Sequence, residues 1–259
     1  MAQKRKESAI IYRQSELATG IYDMWLETDL ALQARPGQFL GIYSHNGAML
    51  LPRPISICEV DAVHARIRIV YRIAGKGTEE FAAYQAGEKL DILGVLGNGF
   101  PVEEAIGKRI LLMGGGIGIP PMLELAKALQ HEKLQIILGY RDQELFLSEE
   151  LSSFGQVVIA TEDGSAGTTG NVMDAIKEHA LQADIIFACG PMPMLRAIKQ
   201  YSEQSKIKAY ISLEERMACG VGACLGCVCR TTKPDAHSHV HNARICTDGP
   251  VFEAGEVDI

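Results

Sequence analysis

Along the first hundred residues the apolar positions come in short runs, and polar ones sit between them. Residues 66–72, Arg-Ile-Arg-Ile-Val-Tyr-Arg, alternate over most of their length, as a half-buried strand does. Residues 9–12, 21–27, 39–43 and 89–93 have the same β character, punctuated by Pro36-Gly37 and Ala86-Gly87. Short strands at this spacing predict a small antiparallel barrel. From residue 109 the pattern changes. Compact apolar runs at 109–113, 134–138, 157–160, 185–188 and 208–212 read as buried strands, and 122–130, 149–153, 171–180 and 193–202 read as helices between them. That alternation predicts an α/β unit with a parallel sheet. Beyond residue 212 the chain is organised around glycine and cysteine instead. The expected division is 1–102, 103–212 and 213–259, with no internal repeat, low-complexity tract or long linker.

The last unit carries Cys219-Gly220-Val221-Gly222-Ala223-Cys224-Leu225-Gly226-Cys227, and Cys246 follows in Arg244-Ile245-Cys246-Thr247-Asp248-Gly249-Pro250. C-x4-C-x2-C plus a distant cysteine is the plant-type [2Fe–2S] spacing. A loop that aims three thiolates at one cluster needs backbone with positive φ, and Gly220, Gly222 and Gly226 are placed to supply it. A zinc knuckle is the alternative. Zinc sites more often use two C-x2-C pairs, and only one is present, so the spacing favours iron–sulfur. Cys229 lies two residues past Cys227 and reads as a spectator thiol. His237, His239 and His241 alternate and would share a face of any strand there, yet four cysteines already suffice and the segment reads as an exposed connector.

Composition narrows the classes. The chain has 259 residues, 47% hydrophobic and 22% charged, which is ordinary for a folded protein. A net charge of −7 argues against nucleic acid as a partner. The basic start, Lys4-Arg5-Lys6, is followed by an apolar run too short for a signal-peptide core, and the most apolar stretch, 110–125, is interrupted by glycines and prolines. Five of the seven cysteines lie after Met217. Together these predict a cytoplasmic protein, with no membrane segment, whose thiols bind metal.

Five further segments carry candidate chemistry. In Arg53-Pro54-Ile55-Ser56 a guanidinium beside a rigid proline can hold a phosphate, and the hydroxyl can meet a ring nitrogen. Gly75-Lys76-Gly77-Thr78 reads as a glycine turn opening a helix, with Thr78 as N-cap and free N–H groups for a phosphate. Gly114-Gly115-Gly116-Ile117-Gly118-Ile119-Pro120-Pro121 sits between a predicted strand and helix, the context of a dinucleotide loop, although the strict G-x-G-x-x-G is absent. Cys189-Gly190-Pro191-Met192 follows a strand end, where open α/β sheets bind ligands. Glu162 and Asp163 follow another strand end. Their carboxylates would repel a 2′-phosphate and favour NADH over NADPH, while Arg141 argues the other way. No proton-shuttling dyad or nucleophile triad is visible, so no catalytic side chain is named.

Taken in order, these motifs resemble the ferredoxin–NADP reductase superfamily. With E-E-R-M-x-C-G-x-G-x-C-x-G-C and C-x-D-G-P-V-F they resemble its branch of electron-transfer subunits of NAD-dependent class B dihydroorotate dehydrogenases over nearly the whole chain. The resemblance implies an antiparallel FAD-binding barrel, a Rossmann-like NAD domain and a small C-terminal [2Fe–2S] module. It implies that Arg53, Pro54, Ile55 and Ser56 contact the flavin, that Val70, Tyr71 and Arg72 line its ring or ribityl region, and that Gly77 and Thr78 cap its pyrophosphate. Gly114, Gly115, Gly116 and Gly118 would hold the NAD pyrophosphate, with Cys189 and Gly190 beside the nicotinamide. Cys219, Cys224, Cys227 and Cys246 would be the cluster ligands. The implied function is electron transfer between NADH, FAD and the cluster and an FMN-containing dihydroorotate dehydrogenase catalytic subunit of pyrimidine (UMP) biosynthesis, in a heterotetramer of two of each chain. The alternatives are an NAD(P)H reductase subunit for another acceptor, such as a ferredoxin or hydrogenase, and a zinc-stabilised nucleotide-binding module without redox chemistry.

Overall fold

The computed structural model describes residues 4–130, 132–234 and 239–259. The first unit is a closed antiparallel barrel. Its strands are β1 (Arg5–Ala18), β2 (Ile21–Glu27), β3 (Phe39–Ile42), β4 (Arg53–Asp61), β5 (Arg66–Arg72) and β6 (Lys89–Leu96), and helix α1 (Lys76–Ala82) lies between β5 and β6. Around the barrel the order is β1-β2-β5-β4-β3-β6. Inward residues such as Ile11, Met24, Leu40, Ile57, Ile67, Ile69 and Tyr71 fill it, and Phe81 of α1 plugs one end. On β5 the alternating pattern predicts one solvated face. Instead Ile67 through Tyr71 are all buried, Arg68 included, because the second unit covers the outer face.

That unit holds β7 (Arg109–Gly115), α2 (Pro120–Ala128), β8 (Lys133–Tyr140), α3 (Ser148–Ser152), β9 (Gln156–Thr161), β10 (Thr168–Thr169), α4 (Val172–Glu178), β11 (Ile185–Cys189), α5 (Met192–Ser205) and β12 (Lys208–Ser212). The residues explain the boundaries. Pro120 opens α2 at the position where a missing N–H costs nothing. Asn171 caps α4, accepting from the Met173 N–H. Two short strands follow, β13 (Val228–Arg230) and β14 (Asn242–Arg244), which form a separate antiparallel ribbon, and then β15 (Val251–Glu253). The large sheet runs β10-β9-β8-β7-β11-β12-β15, parallel throughout except for β15, which pairs antiparallel with β12. The barrel plus parallel sheet agrees with the fold class expected from the sequence.

Polar contacts fix barrel to sheet. Buried Arg68 donates to Asp23 at 2.9 Å within the barrel and to Glu150 of α3 at 2.6 Å. Its guanidinium pKa is raised: burial opposes the charge, but the carboxylates of Glu150 and Asp23 outweigh it. Glu124 and Lys127 of α2 grip both ends of Val60 on β4, its N–H and its carbonyl, each at 2.8 Å. Among the described residues no helix is long and apolar enough to cross a membrane.

Candidate functional site

A cleft of about 1180 Å³ opens between barrel and sheet, at the C-terminal ends of the parallel strands. The sheet side brings Gly115, Gly116, Gly118, Arg141, Glu162, Lys177 and Gly190; the barrel side brings Thr19, Gly20, Ile21 and Arg72. Gly118 explains the glycine-rich loop. A Cβ there would stand 2.4 Å from the carbonyl carbon and oxygen of Cys189, so the loop can lie against the β11 end only without a side chain. The two glycine segments thereby meet, and their bare backbone makes a floor that a dinucleotide pyrophosphate can approach. Gly114 and Cys189 are buried behind this floor. Burial pushes the Cys189 thiol well up, so it stays protonated. Of the two acidic residues after β9, Glu162 lines the cleft, whereas Asp163 turns to the Ser165 N–H at 2.9 Å.

The second group lies on the barrel. Arg53, Pro54, Ile55 and Ser56 form a half-buried strip on β4, paired with β3. The Arg53 guanidinium lies against Gly77, where a Cβ would fall 2.3 Å from Nε, so this cradle joins strand to helix start. Thr78 is not the N-cap. Gly75 holds that position, and the Thr78 hydroxyl reaches back from the third helical residue to accept from the Ala74 N–H at 2.8 Å. A glycine cap leaves the first turn's N–H groups open to an anion, so the feature that matters for a phosphate persists. Val70 and Tyr71 are buried. The Tyr71 ring points into the barrel and its hydroxyl donates to Gln14 at 2.9 Å, so only Arg72 of that trio opens onto the cleft.

The third group is the cysteines. The thiols stand as two neighbouring pairs, Cys219 beside Cys224 and Cys227 beside Cys246. Burial alone would raise Cys219, but the N–H groups of Val221, Cys224 and Ala223 converge on its sulfur and bring its pKa to about 6. Cys246 is pushed up to about 11, first by burial and then by Cys227. Gly220 (φ +68) and Gly222 (φ +85) take positive φ as expected, but the third such residue is Leu225 (φ 54) rather than Gly226. Among the described residues no group of three or more His, Cys, Asp and Glu is gathered as a single metal ion would require. Two thiol pairs suit a cluster whose two irons each take two thiolates, and N–H groups aimed at sulfur suit its negative charge. Cys229 sits on β13, paired with Ala243. His237 lies outside the described residues, and His241 is engaged by the Thr231 carbonyl at 3.0 Å. The groups adjoin. Phe39 of β3 stands opposite both Ser56 and Leu96, and Gly220 packs on Leu96, with an ideal Cβ 3.1 Å from its Cδ1.

Sequence reasoning did not single out Glu214. It lines the cleft just after β12. Its side chain is open to the cleft's solvent yet ringed by protein atoms, and this burial raises the carboxyl pKa while Arg72 across the cleft lowers it. A carboxylate two residues past a strand end carries no local signal; only the meeting of barrel and sheet gives it a place.

Comparison with known proteins places this geometry. Residues 214–258 match the iron-sulfur cluster binding domain of dihydroorotate dehydrogenase B, and residues 112–200 match the oxidoreductase NAD-binding domain. The chain is 45% identical over 261 aligned positions to the dihydroorotate dehydrogenase B (NAD(+)) electron transfer subunit of Bacillus cereus (strain G9842), covering 98% of each chain. Among solved structures, that of an NADH-dependent reduced ferredoxin-NADP oxidoreductase is similar with a TM-score of 0.84 at 27% identity, covering 96% of this chain and 89% of the other. A ferredoxin NADP+ reductase from Neisseria gonorrhoeae with bound FAD and NADP shares the fold at a TM-score of 0.67 and 16% identity, over 83% and 95% of the two chains.

Proposed function

This chain belongs to the family of dihydroorotate dehydrogenase B (NAD(+)) electron transfer subunits, and we propose that it passes electrons between NADH and an FMN-containing dihydroorotate dehydrogenase catalytic subunit through FAD and a [2Fe–2S] cluster. The observation that carries this reading is the paired arrangement of Cys219, Cys224, Cys227 and Cys246 beside a glycine-floored cleft in one chain. It is an oxidoreductase subunit of pyrimidine biosynthesis. The bound cofactors supply the two-electron and one-electron chemistry.

The protein's residues supply position. Arg53 and the open N–H groups at the start of α1 bind the flavin phosphates, and Ser56 meets the ring. Gly77 gives Arg53 room to lie flat. Gly115, Gly116 and Gly118 form the pyrophosphate floor for NAD with Gly114 buried behind it, and Glu162 takes the ribose hydroxyls and repels a 2′-phosphate, which selects NADH. Gly190 closes the nicotinamide end, backed by the buried Cys189. Cys219, Cys224, Cys227 and Cys246 ligate the cluster. The division into an FAD domain (1–102), an NAD domain (103–212) and a cluster module (213–259) follows the same assignment. The working assembly is a heterotetramer of two of each chain, and the protein is cytoplasmic. Family membership supports the catalytic partner, and the free thiols support a reducing compartment.

The test is a visible spectrum of anaerobically purified protein before and after NADH, followed by a dihydroorotate assay with the catalytic chain. Flavin and iron–sulfur absorption, both bleached by NADH, and dihydroorotate-dependent NAD reduction are the expected results. A zinc-loaded colourless protein would sink the reading. A second reading, in which a ferredoxin is the acceptor, draws on the likeness to the NADH-dependent reduced ferredoxin-NADP oxidoreductase structure. Bleaching by NADH without coupling to dihydroorotate would favour it.

A further inference from the structure

The turn that carries Cys246 is closed by an ion pair. Arg244 and Asp248 stand two residues before and two after the thiol. The guanidinium donates from Nε to Asp248 Oδ2 and from Nη2 to Oδ1, each at 3.0 Å, a two-pronged contact. The Arg244 backbone N–H adds 2.8 Å to Oδ2, and its carbonyl accepts from the N–H groups of Thr247 and Asp248 at 3.1 and 2.7 Å. The third prong leaves the turn. Nη1 lies 3.4 Å from the carbonyl oxygen of Gly222, inside the loop that bears the other three cysteines. Gly222 is therefore held by the 244–248 turn, its carbonyl under the guanidinium. A side chain there would collide with Thr247, an ideal Cβ falling 2.8 Å from Cγ2.

We propose that Arg244, fixed by Asp248, is a positioning residue for the iron–sulfur site: it locks the Cys246 turn to the 219–227 loop and holds a permanent positive charge over that loop. The proposal rests on the reading of the four cysteines as [2Fe–2S] ligands. Groups behind the ligands orient them and donate hydrogen bonds to sulfur, and so govern both metal retention and reduction potential. Reduction adds one negative charge, which a nearby cation stabilises and a nearby anion opposes. Removing the Arg244 charge leaves Asp248 facing the loop and makes reduction harder. Removing the Asp248 charge takes a negative charge away from the loop and makes reduction easier. A pair that only folded the turn would give both substitutions the same effect.

The experiment uses the full chain co-expressed with its catalytic partner and purified without oxygen. Iron and acid-labile sulfide per chain, the electron paramagnetic resonance of the reduced protein and the midpoint potential of the cluster are measured. Native protein without iron or without the resonance would overturn the cluster reading itself, independently of Arg244. With the native cluster in place, Arg244→Gln is expected to lower the potential, Asp248→Asn to raise it, and the double substitution to fall between them. Shifts in the same direction, or none, overturn the proposal. Where Arg244→Gln is recovered without iron, Arg244→Lys and Asp248→Asn decide. Iron retained in both with a raised potential in Asp248→Asn supports the assignment. Iron lost from all three, or an Asp248→Asn potential at or below the native value, overturns it.

Discussion

Gly118 and Gly77 are both close-approach glycines, and what stands against each sets the outcome of a substitution. The atoms nearest a Cβ at Gly118 are the Cys189 carbonyl and the Gly190 nitrogen, at 2.4–2.6 Å, and backbone cannot rotate away. Gly118→Ala must shift the loop off the β11 end and break the cleft floor. The expected result is a rise of about tenfold or more in KM for NADH, about 1.4 kcal/mol of binding, with FAD content unchanged; steady-state dye reduction and the flavin spectrum check it. At Gly77 the obstacle is the Arg53 side chain, which can swing. Gly77→Ala is expected to spare the fold and KM for NADH but to displace Arg53, so that FAD is lost on dialysis. The two outcomes separate the cleft from the barrel cradle. Both glycines were legible in the sequence as members of loops. Which of them is cramped, and by what, was not, because the crowding atoms come from β11 and β4, far along the chain. The role of Glu214, seen only as part of the E-E-R-M motif, was hidden for the same reason, and the inward turn of Tyr71 depends on which face of β5 the barrel closes over.

At the scale of elements, local pattern reached as far as local physics decides. The strands with alternating or continuous apolar runs and the helices between them were readable, mostly to within a few residues at each end, although β1 runs Arg5–Ala18 where only 9–12 was expected. The misses are instructive. The Arg53–Asp61 strand β4 contains Pro54, which lacks a ladder donor, and its first four residues read as a binding turn rather than a strand. Strands β13, β14 and β15 are three residues each and exist only through pairing with distant partners. β5 has the correct period but a misleading outer face, since its Arg68 is buried with 5% of the side chain exposed and meets Asp23 at 4%. Among the described residues, Arg68→Ala leaves the Asp23 carboxylate with only Arg13 at 4.0 Å. An uncompensated buried charge of this kind costs about 3–5 kcal/mol. Glu150→Gln removes the α3 end of the same contact at a half-exposed group and is expected to cost about 1 kcal/mol or less. Urea unfolding of the FAD-loaded protein measures both. Equal losses would mean that the barrel-to-sheet contact, rather than the buried pair, carries the energy.

At the scale of the molecule, chemistry and backbone pairing divide the chain differently. The chemistry changes at residue 213, where the cysteine segment begins. The backbone, however, returns. After the cysteines the chain re-enters the large sheet as β15, with Ile211 opposite Phe252 and Ser212 opposite Val251. Asn98, just past β6, holds that return to the barrel: its side chain donates to the carbonyls of Asp248 at 3.1 Å and Val251 at 2.7 Å and accepts from the Val251 N–H at 3.1 Å. The segment bearing Cys246 is therefore clamped between barrel and sheet, which sets the cysteine segment against the barrel at Leu96. Asn98→Ala removes the three side-chain hydrogen bonds to that segment, worth about 2–3 kcal/mol at about 1 kcal/mol each. The loss falls where the cluster segment is anchored rather than inside the barrel or the sheet. The expected outcome is slower thermal escape of FAD than of iron: heated under anaerobic conditions, the variant should release iron at a temperature where the flavin is still bound, while the native chain loses both together. Simultaneous release in the variant would mean that the three units unfold as one and that the Asn98 clamp only adds to their common stability.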